Sequence, residues 1–197
     1  MTTTQEQAYD AIIIGAGQAG GPLASALAGA GKRVAIVERA HVGGTCVNEG
    51  CTPTKTMIAS GRVAYLARRG TDYGVQTGPI AIDQKTIRQR KRDIVDSFRD
   101  GSESQLIGTA GVTLLRGEAS FSAPKVVAVR LNEGGIVSLH ADLIVINAGE
   151  RPAHPSLPGI EDVPYLDSTS IMELDWVPDH LIAVSYTHLT LPTKRIV

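Results

Sequence analysis

Cysteine is nearly absent: Cys46 and Cys51 are the only two in 197 residues. Basic excess is absent too, with 19 Lys and Arg against 20 Asp and Glu, so no electrostatic footprint for nucleic acid exists. No apolar run approaches the roughly 20 residues of a membrane-spanning helix. Met1 to Gln7 is polar, with Glu6 its one charge, and has no apolar stretch behind a basic one. A secretory leader is therefore not expected. Neither an internal repeat nor a low-complexity tract interrupts the chain. These absences point to the cytoplasm, with no membrane or nucleic-acid partner. A lasting structural disulfide is uncommon there, so a close cysteine pair points to redox catalysis or to a metal.

What is present is a hydrophobic content of 43%, enough for a buried core in one or two domains. Tyr9 to Ile14 is a short, β-branched apolar run and reads as a buried parallel strand. Leu23 to Ala30 reads as a helix ended by Gly31, and Arg33 to Val37 as a second strand closing at Glu38. Together they form one βαβ unit. Residues 53–69 and 84–99 read as helices. Met57, Ile58, Val63, Tyr65 and Leu66 are available for burial on the first, and Ile87, Ile94, Val95 and Phe98 on the second. Arg88 to Arg92 is strongly basic and reads as a solvated helix face rather than a binding patch. Gly101 to Gly111 is weak, a helix with a break. Val112–Arg116, Lys125–Leu131 and Ile136–His140 read as strands, the last two joined by a hairpin turn at Asn132-Glu133-Gly134-Gly135. Asp142–Asn147 reads as another buried strand. The stretch with Pro152, Pro155, Pro158 and Pro164 reads as an extended connector.

Gly15-x-Gly17-x-x-Gly20 lies between the first strand and the first helix. Gly15 permits the tight turn, Gly17 a close approach of a pyrophosphate, and Gly20 close packing of helix on sheet. The helix N-terminus then presents free N–H groups and a positive dipole end. Glu38, 18 residues beyond Gly20, can accept from two ribose hydroxyls. It would repel a 2′-phosphate, which disfavours NADP at this site. The loop alone does not separate FAD from NAD.

Cys46 and Cys51 are five positions apart. On an ideal helix that places their Cα atoms roughly 8.6 Å apart, beyond the ~7 Å limit for a disulfide. A bond needs a distorted first turn, which Gly50 and Pro53 assist. A strained disulfide is easily reduced, which suits a catalytic couple. A nearby helix N-terminus is expected to depress both thiols, with Lys55 adding positive charge. Two inert cysteines, or a metal site, are the alternatives. The metal reading lacks the usual two-residue spacing and a second ligand pair, and His41 reads as a surface residue.

Gly43-Gly44-Thr45-Cys46-Val47-Asn48-Glu49-Gly50-Cys51-Thr52-Pro53-Thr54-Lys55 resembles the active-site signature of the class I pyridine nucleotide–disulfide oxidoreductases. These include dihydrolipoamide dehydrogenase, glutathione reductase and mercuric reductase. The likeness runs from about Tyr9 to Val184. Ile146-Asn147-Ala148-Gly149-Glu150-Arg151-Pro152 resembles the second flavin-contacting motif, usually Ala-Thr-Gly-x-x-Pro, from which Asn147 and Ala148 depart. Leu157-Pro158-Gly159-Ile160, Met172 to Asp175 and Pro178 to Leu181 look most like the mercuric reductase and dihydrolipoamide dehydrogenase branch.

The resemblance implies FAD held by Gly15, Gly17, Gly20 and Glu38, with further contacts at Gly44, Thr45, Lys55, Ala148 and Gly149. It implies Cys46 as the interchange thiol that meets the substrate, and Cys51 as the thiol beside the flavin, forming its charge-transfer pair. Electrons would pass from NAD(P)H through FAD to a Cys46–Cys51 disulfide, then to a small disulfide, a dithiol or Hg(II), or in reverse. No metal site is expected. Full-length members would be homodimers. The expected fold is α/β: a Rossmann-like FAD-binding domain over residues 8–184, incomplete, with a parallel sheet and a small antiparallel β insertion.

In the family a strand like Leu181–Val184 leads into a second glycine loop, for NAD(P)H. Here Ser185 to Val197 follows, contains no glycine and reads as a non-native tail. The chain is thus expected to be C-terminally truncated, to expose apolar surface and to lack turnover alone. A non-catalytic nucleotide-binding or redox-sensing module is the rival reading, and an NAD-dependent dehydrogenase with incidental cysteines a third.

Overall fold

The computed structural model describes residues 6–184, and the tail from Ser185 lies outside them. A seven-stranded sheet has the order β1-β6-β5-β4-β3-β2-β7. Its strands are β1 (Glu6–Ala8), β2 (Ala11–Ile14), β3 (Val34–Glu38), β4 (Val112–Ala123), β5 (Val126–Leu131), β6 (Ile136–His140) and β7 (Leu143–Ile146). The helices are α1 (Gly20–Gly29), α2 (Gly44–Asn48), α3 (Cys51–Arg68) and α4 (Gln84–Gly108). β7, β2, β3 and the first half of β4 are parallel, whereas β4, β5 and β6 form an antiparallel meander. The expected parallel sheet and its antiparallel insertion are both present. They are joined through β4, whose Val112–Arg116 half pairs with β3 and whose Gly117–Ala123 half pairs with β5.

Alternation along β2 splits the core in two. Ile13 and Ile36 face Ala24 of α1 and Leu106 of α4. Ile12, Ala35 and Val37 face Val127, Val129 and Leu139 of the meander. The second face of the sheet is therefore covered by β-strands rather than by a helix.

Several expectations need correction. β1 was not foreseen; three mostly polar residues form it by pairing parallel with β6. The helix expected over 84–99 runs unbroken to Gly108, because Leu106 buries into the core and outweighs the cost of an interior glycine at Gly101. Phe98 is exposed instead of packed, as are Ile58, Val63, Tyr65 and Leu66 of α3, since no described element covers those faces. β7 is an edge strand, with Leu143 and Ile146 exposed, because only β2 pairs with it among the described residues. Leu181–Val184 forms no strand: it has no partner among the described residues, and Ile182 is 79% exposed.

The basic run is a solvated face only in part: Gln89, Arg90 and Arg92 are exposed, but Lys91 is not. Lys91 is buried and pairs with Glu173, which also accepts from Arg92 Nε at 3.0 Å. Arg88 donates to the Glu173 carbonyl at 3.1 Å and pairs with Asp175 at 3.4 Å. Arg90 donates to the Thr56 carbonyl of α3 at 3.1 Å. The run thus clips the 3₁₀ turn Ser170–Glu173 onto α4. Burial pushes the Glu173 carboxyl up, but hydrogen bonds and charge from Lys91 and Arg92 outweigh it and hold it below its ordinary value. A carboxyl depressed on folding stabilises above its unfolded pKa and loses that contribution as pH falls through the folded one. Glu173→Ala is expected to cost up to about 3 kcal/mol at neutral pH, mainly by stranding buried Lys91. Urea midpoints of parent and variant should converge as the medium is acidified; a gap that stays constant contradicts the role of the ionised pair.

Candidate functional site

The glycine loop connects β2 to α1. Gly15 has φ 105°, and a Cβ there would lie 2.1 Å from the Asn147 carbonyl oxygen. A Cβ at Gly20 would lie 2.1 Å from the Gly15 carbonyl oxygen. Gly44 has φ 61°, and its Cβ would lie 2.8 Å from Gly17 Cα. Gly17 is different: a Cβ would meet its nearest neighbours only at 3.6 Å, an ordinary contact. The protein itself needs glycine at 15, 20 and 44. At 17 the missing side chain leaves space that the protein does not use.

α1 has no side-chain cap, so its first-turn N–H groups face the loop unpaired by side chains. Glu38 ends β3 beside them. Its Oε2 accepts from Ala16 N–H at 2.9 Å and its Oε1 from Ala40 N–H at 2.8 Å. Each oxygen keeps a second acceptor site. A cleft of about 320 Å³ opens here, walled by Gly15, Glu38, Gly117, Glu118, Ala148 and Gly149. Because β4 outruns β3 at Arg116, the Gly117–Ala119 edge toward this cleft carries backbone groups that β3 does not pair. Only the length of β4, Val112–Ala123 against an expected end at Arg116, signals that edge.

Asn147, which departs from the motif, is a structural tie. Its Nδ2 donates to the Gly15 carbonyl at 3.0 Å and its N–H to Ile14 at 2.8 Å. This links the end of β7, and so Ala148 and Gly149, to the glycine loop. Gly43 N–H donates to the Ala16 carbonyl at 2.8 Å, which brings the cysteine segment to the same place.

The two cysteines sit on different helices. Cys46 is in α2, half-buried; Cys51 is the first residue of α3, exposed. The expected distortion is a complete break at Glu49-Gly50. Glycine fits the break because a Cβ at Gly50 would lie 3.0 Å from the Thr45 carbonyl oxygen. Both thiols are free, and they lie near enough to one another for Cys51 to perturb Cys46. The expectation of depressed thiols fails at Cys46, which is raised. The hydrogen bond to the Cys51 thiol, burial, and charge on Cys51 push it up; Cys51 N–H and the Lys55 ammonium oppose them without prevailing. Thr45 and Lys55 are exposed on this same rim. Among the described residues no cluster of three or more potential metal ligands occurs.

A glycine loop between β2 and α1 with two thiols beside it defines an α/β fold of the Rossmann-like class. The sequence profile described as "Pyridine nucleotide-disulphide oxidoreductase" matches residues 9–185. The chain belongs to this family. Mercuric reductase of Staphylococcus aureus is 40% identical over 176 residues, covering 89% of this chain and 31% of that protein. Mercuric reductase of Bacillus cereus is 35% identical over 188 residues, 95% of this chain and 29% of that one. The structure of a Cu(II) complex of the HOCl-induced flavoprotein disulfide reductase RclA from Escherichia coli superposes with TM-score 0.70 at 33% identity, over 86% of this chain and 35% of that chain. The chain spans about a third of the length of these relatives. The family uses FAD and NAD(P)H, and the fold is its Rossmann-like FAD-binding domain.

Proposed function

We propose that this chain is the FAD- and dithiol-bearing part of an NAD(P)H-dependent flavoprotein disulfide reductase. The observation that carries the reading is the junction of cradle and dithiol: Gly44 packs on Gly17, and Cys46 and Cys51 follow on either side of the break at Glu49-Gly50. The residues fit the cofactor. The space left at Gly17 admits a pyrophosphate, the uncapped α1 N-terminus favours its charge, and the free acceptor sites of Glu38 suit ribose hydroxyls. The Gly117–Ala119 edge, on the side that β3 leaves open, suits a flat base with donor and acceptor groups. Thr45, Lys55, Ala148 and Gly149 complete the rim. When bound, FAD supplies a two-electron carrier between a hydride donor and the cysteines.

The cysteines do the chemistry of this chain. A two-electron reduction opens a Cys46–Cys51 disulfide to two thiols. Cys46 then attacks a disulfide substrate as a thiolate and displaces one of its thiols, and Cys51 attacks Cys46 of the mixed disulfide, releasing the second thiol and restoring the Cys46–Cys51 disulfide. Cys51 N–H and Lys55 help to hold the Cys46 thiolate. Cys51 is the more exposed thiol, and a flavin laid at the α3 N-terminus would cover it and leave Cys46 to the substrate. Soft thiolates suit Hg(II) as well as a small disulfide, whereas a dithiol runs the exchange in reverse, its own thiolate attacking the Cys46–Cys51 disulfide.

FAD titrated into the chain is expected to bind with a change in flavin fluorescence. Glu38→Ala should weaken it about tenfold, the value of roughly one hydrogen bond to a charged group. Binding of NAD in place of FAD would overturn the reading in favour of a dehydrogenase; binding of neither would remove the cradle's role.

A further inference from the structure

α2 is five residues long, far below the length at which a helix holds itself. Yet it carries Cys46, and the position of that sulfur relative to Cys51 depends on how α2 is seated. Val47 buries beneath it. The polar seat is Asn48. Its Nδ2 donates to the Val42 carbonyl at 3.0 Å and to the Gly44 carbonyl at 2.9 Å, bracketing the turn that opens α2. Its Oδ1 accepts from Arg99 Nε at 2.7 Å. Arg99 reaches over from α4 and is itself held by Asp96 at 2.9 Å. Both donors of the amide are committed, and its oxygen has one charged partner. Rotating the amide would aim its NH₂ group at a guanidinium, so Arg99 fixes which way Asn48 faces.

We infer that Arg99 is a positioning residue for the cysteine pair: through Asn48 it seats α2 so that Cys46 stays within reach of Cys51. The inference rests on the redox reading above. Arg99 touches neither sulfur. It acts on the effective concentration of one thiol at the other, and hence on how readily the pair closes. Closure in a glutathione buffer is balanced. One cysteine thiolate displaces glutathione from glutathione disulfide, and the second displaces another glutathione from the mixed disulfide. The protein gives up two electrons, and two glutathione thiols are formed.

The test equilibrates the full chain, without flavin, in buffers of graded glutathione to glutathione disulfide ratio, then traps and counts thiols by mass. Arg99→Met is expected to shift the equilibrium constant about tenfold toward the dithiol, equivalent to about 30 mV. Arg99→Lys, whose ammonium can still reach Asn48 Oδ1, should retain most of the parent value. Should Arg99→Met lose its helical circular dichroism, Asn48→Asp serves instead. It keeps the Arg99 contact but loses both bonds to the carbonyls, and the same direction of shift is expected. An unchanged constant in the folded variant overturns the inference while leaving the redox reading in place. A parent chain that never closes the bond sinks the redox reading and takes this inference with it.

Discussion

Exposed to glutathione disulfide, the parent chain is expected to emerge lighter by two hydrogens, whereas Cys51→Ser emerges heavier by one glutathione. The two outcomes follow from the break at Glu49-Gly50. With Cys46 and Cys51 neighbours across that break, a mixed disulfide at either sulfur is attacked by the other before a second glutathione arrives. Well-placed intramolecular groups act at effective concentrations far above any glutathione buffer. Loss of internal closure in the variant should be complete. A parent that instead carries two glutathiones would show that the sulfurs are neighbours without being a couple.

The second large effect concerns the glycine loop. Gly15→Ala must hold alanine at φ 105° and press its Cβ to 2.1 Å from a backbone carbonyl oxygen. The backbone strain alone costs about 1–3 kcal/mol, and the overlap adds to it. A melting temperature lower by roughly 6–12 °C is expected for a loss near 3 kcal/mol. Gly17→Ala meets neither penalty. Its melting temperature should stay within about 2 °C of the parent, while FAD affinity falls at least about tenfold. Scanning fluorimetry and flavin titration on the same two variants separate the roles. Equal FAD affinity in Gly17→Ala would mean that nothing negatively charged crosses that backbone.

Much of this was legible in the chain. Continuous β-branched runs marked β2 and β3, and glycines at fixed offsets marked the turn from β2 into α1, because burial, positive φ at Gly15 and close approach at Gly20 each restrict residue choice. The Asn132–Gly135 hairpin was legible for the same reason. The cysteine signature marked the dithiol. What was not legible depended on partners remote in sequence. Three residues at Glu6–Ala8 become a strand only because β6 offers an edge. Lys91 reads as solvent-facing until Glu173, 82 residues on, lies over it. Asn147 reads as a deviation until its amide meets Gly15. Arg99 reads as one of several basic residues until Asn48 lies beneath it. The Cys46 thiol was misjudged because helix-terminal polarity was counted and the neighbouring thiol was not.

The central claim is that the cradle places a flavin ring against Cys51. Its most direct measurement is the visible spectrum of the FAD-loaded chain as the cysteine pair is reduced with a small dithiol. A thiolate touching oxidised flavin absorbs at long wavelength. That band is expected in the parent, retained in Cys46→Ser and missing in Cys51→Ser. A band that survives Cys51→Ser, or a parent that binds FAD and never develops one, would contradict the account.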